Sequence, residues 1–390
     1  MPERHAYLDY AATTPVRPEA VEAMLPFLSD VFGNPSGGHA VARRAKNALE
    51  EAREQVAAAL GADPGEVVLT GGGTEADNLA VKGAARAARD AGLGDGVVTT
   101  TFEHKGVLAA CDRLEREGFR VARVTVERSG VVDLDALAEA LDEGTVVVSV
   151  MLVNNEVGTV QPLDDVARLV RERSPRAVLH TDAVQAVPWL DIAGAAADAA
   201  LVAISAHKFG GPKGTGALVV RRGTSLVPLV EGGGQERNLR SGTSNVAGAV
   251  AMATALRLTV ERRDADVARL ASLRDRLVSG LVAAIPDTFV NGDPARKVAG
   301  NAHVGFPGVE AEALLLALDR DGVSAAAGSS CASGATEPSH VLAALGVPRA
   351  DALASIRLSL GYPSTDADVA TALAVIPDAV ARLRAAGAAA

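Results

Sequence analysis

The sequence predicts an α/β protein, with a large domain built on a mostly parallel seven-stranded sheet and a smaller α+β domain beside it. Three observations predict it. Short Val, Leu and Ile runs end in polar, Gly-rich turns and alternate with helical stretches, the pattern of βα units. Hydrophobic residues make up 48% of the chain but aromatic residues only 3%, so the core is built from Val, Leu and Ala in close layers of helix on sheet. At 390 residues the chain is also too long for one small domain.

The elements follow in order. An alanine-rich face with Glu50, Glu51, Glu54, Arg43, Arg44, Lys46 and Arg53 around it predicts a helix over 40–60. Apolar runs predict seven strands at 66–70, 96–100, 121–125, 145–151, 177–181, 200–205 and 216–220. Between them, helical spacing covers 107–117 and 163–173. A long, charge-laced helix is expected over 249–281 and a further strand near 301–306. The boundary is placed near residue 258: 14–258 form the large domain, and 1–13 with 259–390 the small one. Within the latter, 324–338 is almost all small residues with Cys331 at its middle, a loop that buries little and should be mobile.

Composition excludes several function classes. Lys and Arg number 38 against 48 Asp and Glu, a net charge of −10, which argues against a broad footprint on nucleic acid or anionic lipid. With only two cysteines, Cys111 and Cys331, there is no disulfide framework and no all-cysteine metal cage, and no metal site is expected. A reducing, cytoplasmic setting fits that usage. The amino terminus has no basic-then-apolar leader pattern and no apolar run of about 18 residues occurs, so no membrane span is expected.

The chemistry begins at Gly71-Gly72-Gly73-Thr74-Glu75-Ala76-Asp77-Asn78, directly after a strand and opening a helix. Such a turn offers amides to a phosphate. It also matches a loose dinucleotide fingerprint, but that reading needs an acidic residue about 20 positions on, after the next strand. Asp90 comes too early and Glu103 too late. A second pair of strand ends carries His180-Thr181-Asp182-Ala183-Val184-Gln185 and Ser205-Ala206-His207-Lys208. A lysine there is placed to form a Schiff base with an aldehyde. The cofactor that joins one aldehyde to one phosphate is pyridoxal 5'-phosphate, whose ring nitrogen needs a carboxylate partner, and Asp182 supplies one.

These residues belong to a wider ordered set: Leu8 to Pro15, Gly33-Asn34-Pro35-Ser36, Thr74 to Asn78, Glu103-His104-Lys105, Val153 to Gly158, Ser205 to Lys208, Arg240-Ser241-Gly242-Thr243 and Ser355 to Gly361. Over nearly its whole length, from Tyr7 to about Leu383, the chain resembles the cysteine desulfurases of the class V aminotransferase family, in the IscS/NifS-like branch. The resemblance implies the type I fold of pyridoxal-phosphate enzymes. It implies that Lys208 holds the cofactor, Asp182 keeps the ring protonated and His104 stacks on it and shuttles protons. Gln185 and Asn155 would meet the phenolic oxygen and the substrate. Gly73, Thr74, Ser205 and His207 would form the phosphate cup, completed by Thr243 of a second subunit in a homodimer. Arg357 with Asn34 would bind the carboxylate of L-cysteine. Cys331 would take the sulfur as a persulfide and pass it to an acceptor protein, a scaffold or a thiolation enzyme, while Cys111 is read as an inert helical cysteine.

Some residues depart from the family pattern: Gly37 to Ala42, Ala326-Ala327 ahead of the cysteine loop, and the missing apolar tail after Leu383 that in relatives docks a scaffold. Three rival readings are a selenocysteine lyase or another related pyridoxal enzyme, a nicotinamide-dependent dehydrogenase, and a non-catalytic binding module. The dehydrogenase leaves Lys208, Asp182 and Cys331 without work, and the binding module leaves a full catalytic set unused.

Overall fold

The computed structural model describes residues 5–328 and 337–388. Among these, the strands in chain order are β1 (Ala6–Tyr7), β2 (Val67–Thr70), β3 (Gly96–Thr100), β4 (Arg120–Val124), β5 (Thr145–Ser149), β6 (Val178–Asp182), β7 (Leu201–Ser205), β8 (Gly216–Val220), β9 (Phe289–Val290), β10 (Asn301–Gly305), β11 (Val323–Ser324) and β12 (Ser355–Ser359). Seven form one sheet in the order β2-β8-β7-β6-β5-β3-β4. Every neighbouring pair from β7 to β4 is parallel, and β8 alone runs against both its neighbours. The mostly parallel sheet is as expected from the near-continuous apolar runs, which suit strands covered on both faces.

Successive residues of each strand supply opposite faces. Val67, Val98, Val148, Val202 and Val219 pack into one cluster with the helices Ala40–Ala59 and Leu163–Arg173. Their neighbours Val68, Val97, Val147, Leu201 and Leu218 pack into another with the helices Gly73–Asp90 and Lys105–Arg116. A third cluster lies around the β12-β10-β9 sheet and includes Ala6, Leu8, Leu314 and Ile376. The 39-residue helix Val246–Ala284 joins them: Ala249 to Leu256 pack in the first cluster, Leu270 to Leu281 in the third. It therefore runs straight across residue 258.

Several boundaries shift for local reasons. The long helix starts at Val246 rather than 249 because the Asn245 side chain caps it, accepting from Gly248 N at 2.9 Å. β5 stops at Ser149 rather than 151, and Met151 N donates instead to Glu103 Oε1 at 2.8 Å. The helix expected from 107 begins at Lys105, capped by the His104 ring, whose Nδ1 accepts from Gly106 N at 3.1 Å. β6 runs one residue further than expected, so that Asp182 is its last residue.

Candidate active site

Ligands of open α/β sheets collect at the carboxyl ends of the strands, and the notable side chains gather there. β6 ends in Asp182, and β7 ends in Ser205 and leads into the turn Ala206–Lys208. β2 ends at Thr70 and turns through Gly71 and Gly72 into the Gly73–Asp90 helix. Gly72 has φ 146°, which side-chain-bearing residues rarely adopt. A Cβ on Gly73 would meet Val184 Cγ2 at 2.7 Å and Ser205 Cβ at 3.4 Å, and one on Gly216 would meet Gly72 Cα at 2.8 Å. The turn is thus pressed against the end of β7, with its amides facing outward at a helix start.

One cleft brings together Gly73, Thr74, Ser205 and His207 at its mouth with Lys208, Asp182, His104, Gln185, Asn155 and Arg357. Asn34 does not line it; exposed, it accepts from Ser36 N through Oδ1 at 3.0 Å. Thr243 is also exposed and lies outside the cleft of the single chain. Cys331 lies outside the described residues. Cys111 is fully buried, and burial pushes its thiol up to about 12.

The amino-terminal segment straps the cleft. Lys208 Nζ donates to Ala11 O at 2.6 Å and Ala12 O at 2.9 Å, and Gln185 Nε2 donates to Ala11 O at 2.8 Å. Thr13 Oγ1 lies 3.1 Å from His207 Nδ1, and Asp9 Oδ1 accepts from Arg357 Nη2 at 2.7 Å. Arg357 is 3% exposed and also donates to Asn155 O at 2.8 Å. Two further residues were not foreseen as parts of this wall. Glu156 Oε2 accepts from Ser339 Oγ at 2.5 Å, and a Cβ on Gly328 would come within 2.6 Å of that same oxygen. Glu156 therefore lies against the chain on both sides of the 329–336 segment, packed beside Gly328 and hydrogen-bonded to Ser339. His340 follows, its Nε2 lying 3.0 Å from Glu103 O.

Charge in the cleft is set by desolvation. Burial, with the Arg357 charge added, pushes Lys208 down to about 8, so a fair share is neutral amine near pH 7. Burial pushes His207 down to about 4, and the protein packed around His104 lowers it too, leaving both imidazoles neutral. Burial raises Asp182 while His104, Val184 N and Lys208 oppose the rise. The arrangement offers an amine nucleophile, a carboxylate across from it, a guanidinium for a carboxylate ligand and an amide-lined mouth for a phosphate. Asp9, Ala11 and Asp77 stood inside quoted motifs without an assigned role; only their position in the cleft shows it.

Comparison with known proteins matches this arrangement. The model of the class-V aminotransferase family matches residues 6–371. An IscS-like cysteine desulfurase of Mycobacterium tuberculosis is 48% identical over 384 residues, 97% of each chain. A cysteine desulfurase IscS of Dictyoglomus turgidum is 43% identical over 382 residues, 98% of this chain and 96% of that one. Among solved structures, a NifS-like protein superposes with TM-score 0.91 at 35% identity, covering 97% of this chain and 100% of its own. SspA in complex with cysteine gives TM-score 0.80 at 35% identity, covering 91% of this chain and 98% of its own. With the family model matching residues 6–371 and these relatives covering nearly the whole chain, the chain belongs to the class-V aminotransferase family, among its IscS- and NifS-like members.

Proposed function

We propose that the protein is a pyridoxal-phosphate-dependent cysteine desulfurase: L-cysteine and the Cys331 thiol become L-alanine and a Cys331 persulfide, whose outer sulfur then passes to an acceptor protein. One observation carries the reading. Lys208 and Asp182 sit at the ends of neighbouring strands and share one cleft with a glycine turn whose Gly73 is packed against Val184. The relatives named for cysteine desulfuration, and the neighbour bound to cysteine, support the substrate.

The residues present fit the cofactor. Gly73 and Thr74 at the helix start, with Ser205 and His207, would hold its phosphate; Asp182, 4% exposed, would face its ring nitrogen. When bound, the cofactor supplies an aldehyde that condenses with amines and a protonated ring that takes up electrons. The chain supplies the rest. Lys208, partly neutral at pH 7, provides the amine, and the Ala11 and Ala12 carbonyls orient it. His104 is neutral, and with Nδ1 engaged by Gly106 N it can accept or return a proton at Nε2. Arg357 offers donors to the substrate carboxylate, held in place by Asp9 and Asn155 O. Cys331 contributes a thiolate, and Glu156 bonds Ser339 just after its segment. The proposal includes a homodimer, in which Thr243 of one subunit reaches the phosphate in the other, and a reducing cytoplasmic setting.

The test is direct. Protein purified with pyridoxal phosphate should show a visible absorption band that borohydride reduces onto Lys208, and with L-cysteine and a thiol it should release alanine and sulfide in equal amounts. Lys208→Ala should lose the reducible bond altogether. A reducible bond that survives in Lys208→Ala, or cysteine turnover absent from the wild type, sinks the proposal.

A further inference from the structure

At the floor of the cleft, three buried carboxylates lie close together. Asp77 is 1% exposed, Glu103 0% and Asp182 4%. Two of them are held by donors. Glu103 Oε1 accepts from Thr100 Oγ1 at 2.9 Å and Met151 N at 2.8 Å, and Asp182 Oδ1 accepts from Val184 N at 2.9 Å. Asp77 Oδ1 has no hydrogen-bond partner and faces His180 Nε2, itself fully buried and unpartnered, at 3.6 Å. The other ring nitrogen of His180 is taken, lying 2.8 Å from Ser149 Oγ.

The groups facing Asp77 are Asp182 and His180 on β6, and Glu103 with His104 ahead of the Lys105–Arg116 helix. One polar atom each of Asp77, His104 and Asp182 lies within 4.8 Å of the others. Among the described residues only burial and acidic groups shift Asp77, whereas Asp182 also feels Lys208. Burial pushes His180 down to about 3, so it stays neutral. Burial, then the charges of Asp182 and Glu103, hold Asp77 well above the usual carboxylate range. An ionised Asp77 would drive one member of the pair to take up a proton, and Asp182 could then not act as the anion of the site.

We propose that Asp77 is a positioning residue that remains a neutral acid, its proton toward His180, so that Asp182 alone presents negative charge to the ring nitrogen of bound pyridoxal phosphate. This rests on the cofactor reading above.

The experiment has two arms. In cofactor-free protein at pH 7, the infrared difference between wild type and Asp77→Asn should contain the carbonyl stretch of a protonated carboxylic acid; its absence overturns the proposal. In loaded protein, the visible band is titrated with pH. Asp77→Asn, equally neutral and of the same shape, should keep the midpoint, whereas a shift of about one pH unit would show that a charge had been removed and overturns it. Asp77→Leu, which removes the polar group facing His180, should move the band and weaken cofactor binding about tenfold; a Leu variant identical to wild type in both overturns the positioning role. The infrared arm needs no cofactor, so it separates failure of the neutral acid from failure of the cofactor reading, which a wild type without a chromophore would reveal.

Discussion

Cys111 lies on the buried face of the Lys105–Arg116 helix, where a thiolate is strongly disfavoured, which favours Cys331 as the nucleophile of the proposed reaction. Cys331→Ala should bind cofactor and cysteine yet lose sulfide release by at least about two orders of magnitude, whereas Cys111→Ala should lose only about 1 kcal/mol of stability. Mass spectrometry that placed the added sulfur on Cys111 would reverse the assignment. Glu103 carries a second prediction. Burial raises it to about 8, against its hydrogen bonds from Met151 N and Thr100. Between about pH 4.5 and 8 the unfolded chain gives up this proton while the folded chain keeps it, so the contribution present at low pH is lost as pH rises through that window. Glu103→Gln keeps an oxygen for both donors and should flatten the fall in Tm from pH 5 to 8; an unchanged slope would count against it. The residues that chemistry singles out by type, Lys208, Asp182 and His104, were legible in the sequence. Asp9 and Asp77 were not, because a buried acid is distinguished only by what it meets: Arg357 in one case, His180 in the other.

Strand ends and turns do the positioning, and the glycine turn is the sharpest case. Gly73→Ala places a methyl against Val184 where only 2.7 Å is free, so the helix start must move. The variant should fold but bind pyridoxal phosphate at least about tenfold more weakly, measured by equilibrium titration of the visible band. Unchanged affinity would show that the turn is not the phosphate seat. The same elements explain what a reader of the sequence can see. β2, β3 and β5 to β8 are largely buried, mostly apolar runs, and even the edge strand β4, half-buried with two arginines, leaves a visible mark. β1, β9 and β11 are two residues long and exist because a partner lies alongside, which no local pattern records. β12 did carry a signal: Ile356 and Leu358 alternate with Ser355, Arg357 and Ser359. All five are buried: Arg357 and Ser359 meet the strap rather than solvent, and Ser355 meets Asp351 O and Asn291.

At the scale of the molecule, two apolar clusters on the sheet and a third around β10 and β12 are tied by one helix and by residues 5–14. Leu28 and Phe32 remain 61% and 74% exposed, the kind of uncovered apolar surface that subunit contacts bury. The proposed dimer accounts for this and for the exposed Thr243. Sedimentation should find a dimer, and Thr243→Ala should weaken cofactor retention in it; a fully active monomer would refute both. The strap has a consequence for how the enzyme comes to exist. Asp9 and Arg357 stand 348 positions apart, and Ala6 pairs beside Val323. On the ribosome the strap is made first and its partners last, so Lys208 can be folded into its sheet while its carbonyl partners still have nothing to anchor them. Closing so long a loop is slow relative to pairing local strands. Completion of the cleft is therefore among the last events of synthesis, and a chain released before residue 323 would carry the lysine and the carboxylate but no closed site.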